Sequence, residues 1–411
     1  MQTYYFSEQP YPGAWEHQDN HDSLRVTLPN KYCDPQIASE LINARLDEWE
    51  LCDKYGINIL VNEHHSSATC LSPSNTMTLS MLARRTKNVR LLGLGFPIAN
   101  RTDPIRLAEE IAYIDCVTKG RLDVGFTKAA PYELSPANSN PARFMERFWD
   151  AHDLIIKALT HHEGPFNWES DFHHFRQVNI WPRPYQQERP PIWIPAGSLG
   201  SAKEIGARGH TMAMFLSGLN ARKLKEAYYQ GAAEAGLPEP GPEKFAYMGI
   251  MAVGETREEG WARAEKIMGY LRTTSIVSDV FMNPPGYMPP AGNVMWMKKN
   301  QTRGRAGDHF PVQKRDGTVL QIGSGRDWTG EVPMEDVIDA NLVFAGSPDD
   351  VHHQITEFAE QIGGLGTFLM MGHGGELSGD EAQDSIRLFG TEVLPRLQKF
   401  QQPKFQMATA G

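Results

Sequence analysis

Short apolar runs without a polar interruption recur along this chain, and most are followed by a segment whose apolar residues return every three or four positions. The runs cover residues 3–7, 57–61, 89–96, 122–127, 192–196, 211–215, 245–253 and 367–371. Helical spacing fills 37–55, 76–85, 104–117, 142–159, 202–208 and 221–235, with Gly56 as a stop after the first and Pro104 suited to a first helical turn. A strand with one wet face alternates polar and apolar residues. An uninterrupted run is buried on both faces, and about eight of them separated by helices close more readily into a parallel barrel than into an open sheet. The expected fold is therefore α/β, a (β/α)8 TIM barrel.

The 411 residues exceed a barrel's usual roughly 250, and two insertions take up part of the excess. Residues 166–181 alternate aromatic and polar side chains up to Pro182 and read as a β-hairpin before the fifth strand. Residues 278–333 are rich in Pro, Gly and Met without sustained periodicity, the composition of a lid between the seventh and eighth units. One domain is expected over 1–400, with a tail at 401–411.

Charge and cysteine usage narrow the function classes. A net charge of −10 without a block of Lys or Arg argues against nucleic acid. No stretch is long and apolar enough to suggest a membrane span, and residues 1–12 lack the basic flank and apolar core of a signal peptide. Cys33, Cys52, Cys70 and Cys116 are far apart with no C-x-x-C, which speaks against a zinc knuckle or dithiol pair and fits a reducing cytoplasm. His17, Asp19 and His21 imitate a metal triad, but in a loop with no strand to hold them rigid, so no metal is expected.

Barrel enzymes gather their chemistry at the C-terminal ends of the strands. Asn62-Glu63-His64-His65 follows the second strand there, and a rim histidine such as His64 can exchange protons near neutral pH; a hydrogen-bonded loop histidine is the plainer reading. Gly93 and Gly95 end the third strand, where the backbone either passes close to something flat or packs on a neighbour. Trp193 to Ser201 runs from strand into helix and presents N–H groups with the hydroxyls of Ser198 and Ser201, a phosphate cradle or an ordinary serine cap. Lys128, just past the fourth strand, supplies a cation for such a phosphate. Phe6, Trp15, Tyr132 and Phe215 are candidate pocket walls, each also a plausible core residue.

Several segments together resemble the bacterial luciferase-like flavin-dependent monooxygenase family. They are Gly56 to His65, Thr86 to Leu91, Asp103 to Glu110, Lys119 to Gly125, Pro191 to Ala196, Gly346-Ser347-Pro348 and Glu392 to Pro395, in order along nearly the whole chain. The resemblance implies that reduced FMN, supplied by a separate NAD(P)H-dependent flavin reductase, reacts with O2 through a C4a-(hydro)peroxyflavin to oxygenate a small organic substrate. It implies His64 as the catalytic residue, and a non-proline cis peptide at Gly95 and Phe96 under the flavin ring. Lys128 stands where bacterial luciferase has a phosphate-binding arginine, and Thr127 where it has a reactive cysteine. Ser198 and Ser201 match phosphate-binding positions, with Gly197 replacing an acidic residue. A homodimer is implied as well.

Other readings compete with this one. Ala196 to Gly200 resembles a hydrolase nucleophile elbow and His373-Gly374-Gly375 an oxyanion loop, but in that fold the loop precedes the elbow. Gly93-x-Gly95 lacks the third glycine and acidic residue of a dinucleotide fingerprint. A deazaflavin-dependent oxidoreductase of the same fold and a non-catalytic flavin-binding relative remain as alternatives.

Overall fold

Helix α1 (Pro35–Tyr55) illustrates how local chemistry sets the elements. The Asp34 carboxylate accepts hydrogen bonds from the Gln36 and Ile37 N–H groups, Pro35 takes the first turn, and Gly56 ends the helix at φ 74°, in the left-handed region. The computed structural model describes residues 1–21, 23–134, 136–140, 143–274, 309–323 and 332–406.

Among these residues nine parallel strands share one sheet: β1 (Gln2–Ser7), β2 (Asn58–Val61), β3 (Leu91–Pro97), β4 (Leu122–Thr127), β7 (Ile192–Pro195), β8 (Thr211–Phe215), β9 (Phe245–Val253), β12 (Val343–Gly346) and β13 (Thr367–His373). Eight of them close the expected barrel in the order β1-β2-β3-β4-β7-β8-β9-β13, with β13 returning to β1 from Gln2 opposite Thr367 onward. The ninth, β12, was not foreseen. It pairs Val343–Gly346 with Ile250–Val253, the far half of the nine-residue β9, beyond the part of β9 that pairs with β8.

Alternation along the strands sorts side chains into two layers. Tyr4 on β1 donates its hydroxyl hydrogen to Asp123 on β4 at 2.7 Å and meets the Trp193 ring on β7 edge-on at 5.6 Å, contacts possible only across the lumen. Arg90 grips the same Asp123 with two bonds of 2.7 Å, so a polar cluster fills the lumen near the strands' N-terminal ends. Tyr5 points the other way, donating to Glu48 on α1 at 2.8 Å.

The first insertion is the expected antiparallel hairpin, β5 (Phe166–Glu169) with β6 (His174–Val178). Of the expected lid, residues 278–308 and 324–331 lie outside the described residues. The part between them forms a second hairpin, β10 (His309–Gln313) with β11 (Val319–Gly323), tied down by Lys314 to Asp336 (2.7 Å) and Arg315 to Glu357 (2.6 Å). Residues 401–406 pack against the barrel: the Phe405 ring stacks on Tyr229 at 4.5 Å, and the Gln402 side chain accepts the Leu365 N–H.

Candidate active site

Three rim loops, after β2, β4 and β7, meet at the C-terminal end of the barrel. The loop after β2 is anchored by Glu63, whose buried carboxylate pairs with Arg101 at 2.7 and 2.9 Å and accepts the Asn75 N–H where helix α2 (Asn75–Arg85) begins. His64 follows, its N–H bonded to the Ser72 carbonyl at 3.0 Å and its ring about three-quarters buried.

The loop after β4 reaches both neighbours. At its start the Lys128 ammonium donates to Ser201 Oγ at 3.0 Å. Ser201 Oγ lies 2.9 Å from Ser198 Oγ, and Ser198 caps helix α6 (Leu199–Ala207) by accepting the Ser201 N–H. A cavity of about 350 Å³ beside this group is lined by Lys128, Met145, Trp149, Gly200, Ser201 and Glu204 among others. Burial lowers the pKa of Lys128 below the usual lysine value, because a half-buried ammonium loses hydration without a carboxylate to replace it.

Three residues along, the same loop enters the short helix α4 (Pro131–Leu134) and turns two side chains on His64. Glu133 Oε1 lies 3.1 Å from His64 Nδ1 and accepts the His65 N–H at 3.0 Å, while Oε2 accepts the Ala130 N–H at 2.8 Å. Burial opposes ionisation of this carboxyl, but the bonds and charge from His64 and the two N–H groups outweigh it and hold Glu133 below the usual glutamate range. Tyr132 Oη is also 3.1 Å from His64 Nδ1, and the Arg25 guanidinium lies 4.6 Å from the Tyr132 ring centre. Burial above all pushes the Tyr132 hydroxyl up, so it stays protonated.

The residues singled out from the sequence thus divide. Lys128, Ser198 and Ser201 come together, as do His64 and Tyr132. Gly197 has open space around it, since a Cβ there would meet nothing within 4 Å. Gly95 is demanded by packing alone: a Cβ would come within 2.3 Å of Thr127 Cγ2 and 2.8 Å of the Gly125 carbonyl. A non-proline cis peptide bond is found at Leu94–Gly95, one bond before the Gly95–Phe96 position expected, and a second at Gln187–Glu188. The Phe96 ring is fully buried in the outer layer, beside Gly93 and Leu79. Trp15 packs, partly buried, against Tyr11, Ala14 and Leu24 in a separate cluster. Phe6 lines the lumen and Phe215 stands 41% exposed at the end of β8.

Glu133, Arg25 and Arg101 escaped the sequence reading. A carboxylate within six residues of a barrel strand's C-terminal end was the available signal for Glu133, and its neighbour Tyr132 was already singled out. Among the described residues no group of three or more His, Cys, Asp or Glu side chains is arranged to hold a metal ion. No described helix is long and apolar enough to cross a membrane.

As a donor set, one ammonium, two hydroxyls and the first N–H groups of α6 around a cavity suit a phosphate monoester. His64 on the same rim suits proton transfer. A family model described as luciferase-like monooxygenase matches residues 50–365. The oxygenase component of a flavin-dependent trigonelline monooxygenase from Acinetobacter baylyi is 30% identical over 40% of this chain and 45% of its own length. The chain spans about half the length of the curated relatives it matches, from 45% to 64% for three of them. Two solved structures share the fold. The oxygenating constituent of 3,6-diketocamphane monooxygenase from Pseudomonas putida, in complex with FMN, is 18% identical with a TM-score of 0.69, over 98% of this chain and 99% of that one. A coenzyme F420 dependent tetrahydromethanopterin reductase from Methanopyrus kandleri is 15% identical with a TM-score of 0.62, over 96% and 98%.

Proposed function

This chain belongs to the luciferase-like monooxygenase family, and from that premise we propose that it is the oxygenase component of a two-component system. In this reading a separate NAD(P)H-dependent flavin reductase delivers reduced FMN, and the chain uses it with O2 to oxygenate a small organic molecule. The relative that is itself an oxygenase component supports the division of labour, and the FMN-bound structure of the same fold supports the cofactor.

The observation that carries the reading is the loop after β4, which touches the anion cradle through Lys128 and the proton-transfer group through Tyr132 and Glu133. Lys128, Ser198, Ser201 and the N-terminus of α6 would hold the FMN phosphate, and Gly95 and Phe96 would support the flavin. Bound reduced flavin supplies the electrons that activate O2. The protein orients that ring, keeps water from it, and moves a proton at His64 Nε2. Phe6 and Phe215 border the substrate. Four unpaired cysteines favour a reducing, cytoplasmic setting.

The reading is tested by mixing the protein with chemically reduced FMN, ¹⁸O2 and a panel of small organic molecules, followed by mass analysis. Products carrying one ¹⁸O atom are expected. The deazaflavin alternative, favoured by the reductase of the same fold, instead gives anaerobic hydride transfer with a deazaflavin and no labelled product. A non-catalytic relative gives neither.

A further inference from the structure

We infer that Glu133 is the positioning residue of this site: its carboxylate fixes the His64 ring with the proton on Nδ1 and leaves Nε2 as the free acceptor. The inference rests on the proposed role of His64, but its geometry stands by itself. Glu133 is 2% exposed, and its two oxygens accept three hydrogen bonds, from His64 Nδ1, the His65 N–H and the Ala130 N–H. An ionised carboxylate only accepts, so a bond at 3.1 Å to Nδ1 requires the hydrogen on Nδ1. The carboxyl is held below its usual pKa and is therefore ionised at neutral pH.

Tyr132 Oη, also 3.1 Å from Nδ1, competes as a donor to that atom. Charge decides the competition, because a bond to a carboxylate is roughly twice as strong as one between neutral groups. With the hydrogen on Nδ1, the Tyr132 hydroxyl oxygen meets it as a second acceptor beside Glu133. Among the described residues His64 Nε2 has no hydrogen-bond partner, and the ring is 25% exposed, so this nitrogen is the one available to a reacting group. The other charged groups around the pair do not replace Glu133. Glu63 is neutralised by Arg101, His65 bonds to Glu63, Arg25 lies over the Tyr132 ring, and Glu8 accepts from Asn62. A carboxylate holding the far nitrogen of an imidazole stabilises the imidazolium formed when the near nitrogen takes a proton.

A carboxylate that merely braces two loops would give the same contacts, so the test must read the histidine itself. Protein labelled with ¹⁵N-histidine, with the His64 signals identified by their loss in His64→Gln, reports the tautomer from the two ring-nitrogen shifts and needs neither flavin nor substrate. In the unaltered protein at neutral pH the Nδ1–H form is expected to dominate. In Glu133→Gln, which keeps the side chain's shape, the Nε2–H form is expected to gain population. Turnover is expected to fall roughly 10–100-fold with flavin affinity nearly unchanged. Should Glu133→Gln not fold, Glu133→Asp serves instead: its carboxylate, one methylene shorter, draws back from Nδ1, so the Nε2–H form is expected to gain population, and unaltered shifts overturn the inference. Identical ring-nitrogen shifts with and without the carboxylate overturn the inference. Absence of oxygenated product overturns the functional reading while leaving the tautomer result intact, so the two failures are distinguishable.

Discussion

At the scale of single residues, the proposed site puts holding and proton transfer on separate groups, so the two should be breakable independently. His64 touches no part of the cradle described around Lys128 and Ser201. His64→Ala is therefore expected to leave FMN affinity within about twofold while lowering turnover by roughly 10²–10⁴-fold, the range for loss of a general acid or base; equilibrium flavin titration beside steady-state rates checks this, and unchanged turnover removes His64 from the chemistry. Lys128 carries a pH signature. Because burial lowers its pKa, the ammonium gives up its proton at a lower pH than an ordinary lysine does, so FMN affinity should weaken as pH rises into the alkaline range. Lys128→Arg stays charged throughout and should keep the affinity flat, and titrations at a series of pH values with equal slopes for the two proteins would refute the assignment. His64, Lys128, Ser198 and Ser201 were legible because each follows a strand whose end could be read from its apolar run. Glu133 was not, because its significance lies in a contact with a residue 69 positions away.

Among elements, the cradle depends on how closely α6 lies against α7 (Asn220–Glu234). A Cβ on Gly206 would come within 2.1 Å of the Tyr228 carbonyl oxygen, and one on Gly231 within 1.9 Å of the Lys203 carbonyl oxygen. Two glycines facing each other's helices thus let the backbones approach closely, and the N-terminus of α6 sits where that contact allows. Gly231→Ala is expected to cost about 1–3 kcal/mol, the usual range for overpacking, and to weaken FMN binding because Ser198 and Ser201 move with α6. Thermal unfolding and flavin titration measure both, and a variant with unaltered melting and affinity would show that the helices can separate freely. Neither glycine signals this role in sequence, where a lone glycine in a helix reads as a mild defect. Strand β12 is no shorter than β2 or β7; what sequence could not show is that the unusual length of β9 leaves an edge for a ninth strand.

For the molecule as a whole, the outer faces of α2 and α3 (Pro104–Thr118) leave Met77 65%, Met81 42% and Tyr113 61% exposed, and Trp181 after the β5–β6 hairpin is 81% exposed, around a cavity of about 720 Å³. Arg106, Glu109 and Glu110 border the same patch, and groups of both signs around an apolar centre suit a two-fold contact between identical chains. We therefore propose a homodimer through this face; sedimentation is expected to find a dimer that Met77→Glu with Tyr113→Glu converts to monomer, and a monomeric unaltered protein sinks the idea. The sequence by itself determined the eight-stranded barrel, its hairpin insertion and the rim loops that carry the reactive groups. Apolar periodicity and helix caps are local consequences of burial, and they survive in the order of residues alone. Which loops meet was decided only in three dimensions. Lys128 finds Ser201 across 73 positions and Glu133 finds His64 across 69, because strand order and stagger in a closed barrel bring those rims together and no local pattern encodes either one.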